Sequence, residues 1–183
     1  MFASSCSRAL AALVGSVLAL CASCAAPSQG QKAISVVSYN LMTLFDAVDN
    51  GGEYADFSVA KGKYDERRYK SRLSSLARVI KAAVPGGPDI LAVQEIENSR
   101  VLMDLGRALG SYPYKACADD TATVLECGIL SRYPIVSLRT HRYGVMPGSQ
   151  APRLLLEAQL DAGGQELWLL VAHWKSKLEG AEQ

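Results

Sequence analysis

Three apolar runs in this chain each end by handing over a polar side chain, and that pattern narrows the folds open to it. The first is Ser38-Tyr39-Asn40-Leu41-Met42-Thr43-Leu44-Phe45-Asp46, and the second is Pro88-Asp89-Ile90-Leu91-Ala92-Val93-Gln94-Glu95-Ile96-Glu97-Asn98. The third runs from Glu166 to Ala172 and straight into His173-Trp174-Lys175-Ser176-Lys177. Short apolar runs bounded by turn residues read as buried strands. Open α/β sheets carry their chemistry at strand ends, so Asn40, Glu95 and His173 are the candidate site residues.

Between these runs the period changes. Ile34 to Tyr39 predicts a strand, and Lys70 to Ala83 a helix with Leu73, Leu76, Ala77, Ile80 and Val84 on one stripe. Pro85-Gly86-Gly87-Pro88 ends that helix and launches a strand over Ile90 to Val93. Asn98 or Ser99 then caps a second helix carrying Leu102, Leu105 and Leu109, closed by Gly110. Strands follow over Thr123 to Leu130, Ile135 to His141, Arg153 to Leu160 and Glu166 to Ala172. Asp161-Ala162-Gly163-Gly164 supplies a hairpin turn between the last two. The class is α/β, with no internal repeat, low-complexity tract or second domain.

The first residues predict export. Arg8 precedes an apolar run from Ala9 to Ala22, with no further charge until Lys32. A run of about 14 residues is too short for a membrane span and has the order of a secretory leader. Cleavage after Ala25 is one expectation. The favoured one is the lipoprotein type, because Leu20-Cys21-Ala22-Ser23-Cys24 forms a loose lipobox in which Cys24 is acylated. The expected layout is a leader over 1–25, a polar tether over 26–33 and one domain over 34–183. The expected location is periplasmic, cell-surface or membrane-anchored through the lipid, with free secretion as second choice.

Export changes the reading of the cysteines. Of five, Cys6, Cys21 and Cys24 belong to the leader or its boundary, leaving Cys117 and Cys127 as a disulfide candidate in an oxidising compartment. Their spacing fits no zinc site. Without Arg8 the chain carries 18 basic against 18 acidic residues, so it lacks the basic excess of most nucleic-acid binders. Lys61, Lys63, Arg67, Arg68, Lys70 and Arg72 cluster with Tyr64 and Tyr69; Asp65 and Glu66 inside the run favour a solvated helix face over a phosphate-contacting edge.

The three strand-end segments, with Cys127-Gly128-Ile129-Leu130-Ser131-Arg132-Tyr133-Pro134-Ile135 between them, resemble the endonuclease/exonuclease/phosphatase superfamily, the DNase I-like metal-dependent phosphoesterases. The resemblance runs from about Ile34 to Lys177. It implies half of a four-layered α/β sandwich, with mixed, mainly antiparallel sheets flanked by helices. It implies Glu95 as ligand of Mg²⁺ (or Mn²⁺ or Ca²⁺), Asn40 as a hydrogen-bonding residue of the metal and phosphate site, and His173 as the donor to a phosphate oxygen. Arg153 and Lys175 are the candidate phosphate contacts. Arg132 is a weaker candidate, Glu97 reads as a surface residue and His141 as structural. The family's later Gly-Asp-x-Asn and Asp-His segments have no counterpart here, and Ala172 stands where the similar version has asparagine, so the chain reads as the N-terminal portion of an exported nuclease acting on nucleic acid or another phosphodiester. No protein partner is evident. The reading from another class is a non-catalytic surface lipoprotein.

Overall fold

Strand β1 (Val36–Leu44) alternates as a half-buried strand should, and β2 (Ile90–Ile96) is buried nearly throughout. The two lie side by side in parallel, from Val36 against Ile90 to Asn40 against Gln94. A parallel pair needs a crossover, and α1 (Glu66–Ala83) supplies it. After β2 come α2 (Ser99–Leu109), β3 (Tyr114–Cys117) and β4 (Glu126–Ser131), which complete a sheet ordered β1-β2-β4-β3. A second, antiparallel sheet follows in meander order, from β5 (Ile135–Tyr143) through β6 (Arg153–Asp161) to β7 (Glu166–Ala172). The computed structural model describes residues 33–110, 112–118, 123–143 and 153–174, without the side chains of Tyr143 and Arg153. The leader, the tether up to residue 32, Cys24 and Lys175 lie outside the described residues.

Helix α1 starts four residues earlier than its apolar stripe predicts. Asp65 caps it by accepting from the Arg68 backbone N–H at 2.7 Å, which satisfies one of the donors a helix N-terminus leaves open. Tyr69 then joins Leu73, Ala77 and Ile80 on the buried face. Asn98 caps α2 in the same way, accepting from Val101 N at 3.0 Å. Strand β3 is the element that the sequence pattern misses, because its four residues are too few to show a period.

Three layers result. On one face of the first sheet, Leu91, Val93 and Leu130 pack against Leu73, Ala77 and Ile80 of α1 and Leu102, Leu105 and Leu109 of α2. On the other face, Ile90, Ala92, Cys127 and Ile129 meet Leu156, Ala158, Leu160 and Val171 of the second sheet. The far side of that second sheet carries exposed Trp168 and Leu170. All described elements belong to one unit, Ile34–Gln183. Among the described residues no helix is long and apolar enough to cross a membrane.

This layering sets the two cysteines of the expected disulfide on different faces of the sheet. Cys117 lies opposite Gly128, so Cys127, one residue along, faces the other way. Cys117 packs on the helix side and Cys127 in the core between the sheets.

Candidate active site

Alternation along the strands places two of the three candidates without further help. On β1, Val37, Tyr39 and Leu41 face the helices, so Asn40 faces the second sheet. On β7, Leu167, Leu169 and Val171 face the first sheet, and His173 continues that parity just past the strand. The two side chains therefore approach the same edge of the intersheet space from opposite walls.

Glu95 reaches that edge differently. With Leu91 and Val93 on the helix face, strict alternation would send Glu95 there too and Ile96 away from it. Ile96 instead packs with Leu91 and Val93. The strand has a bulge at Glu95, which lies unpaired between Gln94 opposite Cys127 and Ile96 opposite Glu126. On the β1 side the register jumps from Asn40–Gln94 to Leu44–Ile96, leaving residues 41–43 outside the ladder. Met42, Thr43 and Glu95 have φ of 54°, 64° and 62°, and among the described residues they are the only non-glycine residues with positive φ. Each such residue costs on the order of 1–3 kcal/mol and persists only where surrounding contacts over-determine it.

The contacts that do so are those of the site. Asn40 Nδ2 donates to Glu95 Oε1 at 2.8 Å, while Asn40 Oδ1 accepts from Met42 N at 2.8 Å. Thr43 Oγ1 donates to Glu95 Oε2 at 3.1 Å. His173 Nε2 stands 3.1 Å from Glu95 Oε1, with 26% of the His173 side chain and 17% of the Glu95 side chain exposed. Burial alone would raise the Glu95 pKa. The hydrogen bonds from Asn40 and Thr43, the charge of His173 and the Thr43 backbone N–H together outweigh it and hold the carboxyl below its ordinary value.

The site thus combines an ionised carboxylate, an amide with a second N–H to give, a hydroxyl and an imidazole at an open strand edge. Thr43 was not singled out by sequence; nothing in the pattern marks a threonine that leaves its ladder. Glu97 is not a surface residue. It is half-buried, its pKa is raised by that burial first, and it accepts from Asp46 N at 2.7 Å and from Asn50 Nδ2 at 2.8 Å, pinning the loop after β1.

The remaining candidates separate. Arg153 opens β6 opposite Tyr143, and Leu155 lies opposite Ala172, so its backbone is at the same end of the second sheet as His173. Arg132 is at the wrong end. It pairs with Asp89 at 3.7 Å and covers the Tyr112 ring at 5.5 Å, roughly 20 Å from Glu95 by the rise of β2. His141 contacts Glu157 Oε2 at 2.8 Å on the outer face of the second sheet. Of the basic run, Lys70 pairs with Glu66 in solvent at 3.2 Å, whereas Arg72 turns inward to the β1 bulge.

The sequence profile described as the Endonuclease/Exonuclease/phosphatase family matches residues 35–183. Among solved structures, TDP2 from Caenorhabditis elegans is similar at 20% identity and a TM-score of 0.52, over 80% of this chain and 37% of that one. Truncated C. elegans TDP2 is similar at the same identity and TM-score, over 80% of this chain and 48% of that one. An endonuclease/exonuclease/phosphatase family protein from Leptotrichia buccalis C-1013-b follows at 13% identity and a TM-score of 0.50, over 79% and 55%. At these identities the likeness is one of fold, and the chain spans about a third to a half of these proteins' lengths. No curated protein matches the sequence.

Proposed function

The chain belongs to the Endonuclease/Exonuclease/phosphatase family, and from that membership we propose that it forms part of a metal-dependent phosphoesterase, an exported nuclease that cleaves phosphodiester bonds. The observation that carries this reading is the Glu95 carboxylate, turned out of its strand by a left-handed bulge and held ionised between Asn40, Thr43 and His173.

The donor set fits a hard divalent cation. Glu95 supplies an anionic oxygen at an open edge, and Mg²⁺ usually keeps several of its waters and so accepts one carboxylate as anchor. Among the described residues no group of three His, Cys, Asp or Glu forms a closed cage, so the fit is to an ion held by Glu95 and water. Bound there, the ion would neutralise charge on a scissile phosphate and acidify a water. The chain's own groups act around it. Asn40 uses one amide proton on Glu95 and keeps the other for a phosphate oxygen. His173, released from Glu95, donates from Nε2 to charge that grows on phosphate in the transition state. Thr43 keeps Glu95 deprotonated and aimed.

Mn²⁺ added to the ¹⁵N-labelled protein is expected to broaden the amides of Asn40, Thr43, Glu95 and His173, and Glu95→Gln to abolish this. Broadening centred elsewhere, or unaffected by Glu95→Gln, would remove the metal-site reading. Catalytic groups that act as a unit lose most of their effect when incomplete, so the 183 residues alone are expected to nick plasmid DNA slowly even with Mg²⁺. Rapid cleavage that survives Glu95→Gln would place the chemistry on other residues. For export, the lipobox around Cys24 supports lipid anchoring. Labelled palmitate should enter the wild type and not Cys24→Ser; secretion without label, from an N-terminus at Ala26, would favour ordinary cleavage.

A further inference from the structure

We propose that Arg72 is a positioning residue of this site, the clamp that holds the β1 bulge in its left-handed form and so aims Asn40 and Thr43 at Glu95. Its meaning for catalysis rests on the reading of Glu95 given above; the clamp itself does not.

Three consecutive carbonyls define the clamp. Arg72 Nη1 donates to Thr43 O at 2.8 Å and Nη2 to Leu41 O at 3.0 Å, and Nη2 also reaches Met42 O. In a strand, successive carbonyls point to alternate sides and toward ladder partners. Here residues 41–43 have no partners in the β1–β2 ladder, so their carbonyls must be satisfied elsewhere. Two successive left-handed residues turn those carbonyls to one side, where a single planar group meets all three. The bulge and the clamp therefore require each other: an extended segment could not present the acceptors, and without the donors the left-handed segment would strand them.

The guanidinium is itself held. It lies 5.5 Å over the Phe57 ring and interacts with the Tyr64 hydroxyl. Phe57 packs on Phe45 at 5.0 Å and on Tyr64 at 5.3 Å, which ties the cradle to the chain just after β1. Arginine suits the position because it offers five donors in one plane, and a lysine ammonium cannot span three carbonyls and stack on a ring as well. The consequence reaches the carboxylate in two bonds, from Arg72 to Thr43 O and from Thr43 Oγ1 to Glu95 Oε2.

The test uses NMR on the metal-free 183-residue protein. Arg72→Ala is expected to shift Met42 and Thr43 Cα and Cβ resonances away from left-handed values and to move the Asn40 side-chain amide, while Ile90 and Leu91 keep their signals. Arg72→Lys should give an intermediate shift, and Lys70→Ala, two residues away on the exposed side of α1, none. If Arg72→Ala fails to fold, Arg72→Lys decides by the same signals. A folded Arg72 variant with a lowered unfolding temperature but unmoved Met42, Thr43 and Asn40 resonances would show that Arg72 only stabilises the fold and overturn the proposal. A negative Mn²⁺ experiment with positive shifts would sink the metal reading and leave the clamp standing.

Discussion

Glu95 is ionised more readily in the folded chain than in an ordinary peptide, and that preference carries a pH signature. A carboxyl whose folded pKa is depressed adds stability above its unfolded value and loses it as pH falls through the folded value. The Glu95 contribution to the stability gap between wild type and Glu95→Gln should therefore be lost as pH falls below about 4.5. Thermal unfolding of both forms between pH 7 and pH 3 reads this directly, and a gap that stays flat across that range would mean that the Asn40 and Thr43 hydrogen bonds do not outweigh burial. Glu97 must respond in the opposite sense, since burial raises its pKa and its protonated form is the one folding favours. Two glutamates two residues apart thus shift in opposite directions because one is turned out by a bulge and the other is folded over a loop.

Helix α2 approaches the first sheet closely, and glycine permits it. A Cβ built on Gly128 of β4 would lie 2.8 Å from Ile96 Cδ1 and 3.0 Å from both terminal carbons of Leu102. Gly106 on α2 stands against Leu130 in the same contact, at 3.2 Å. Overfilling a packed core costs about 1–3 kcal/mol, and Gly128→Ala should fall in that range by urea unfolding. The penalty arises because Ile96 and Leu102 are almost fully buried and have little room to turn. Ile96 is also the residue that the Glu95 bulge returns to the helix face. Pressure on it is expected to move the Glu95 amide signal in the same variant, and a Gly128→Ala protein as stable as wild type with an unmoved Glu95 signal would separate the α2 contact from the site.

At the scale of the molecule, the two faces of the second sheet are unlike. The inner face is buried against the first sheet, while the outer face sets Trp168 and Leu170, 45% and 60% exposed, beside the polar group Arg139, Glu157 and His141. Clustered exposed apolar side chains on a sheet invite association. Trp168→Thr with Leu170→Thr should reduce concentration-dependent light scattering by the 183-residue protein. Because neither side chain is in the core, the unfolding temperature should change little. Scattering that is unaffected would assign association to another surface.

The sequence alone determined the elements and two walls of the site. Apolar period and turn chemistry gave the two helices, the cap of the second at Asn98 and most strands, because those signals are local. The parity that turns Asn40 and His173 toward one space is also written in the alternation of their strands. What only the tertiary structure decided were the departures from regularity. Alternation would have sent Glu95 to the helix face; the bulge that redirects it exists only where β2 meets β1 and β4 together. Thr43 and Arg72 matter because a segment leaves its ladder, and no local pattern announces that. Cys117 and Cys127 are close in sequence and lie on adjacent strands, yet a register offset of a single residue puts their side chains on opposite faces of the sheet. Period belongs to one strand at a time, whereas register and bulges belong to pairs of strands, and chemistry at this site depends on the pairs.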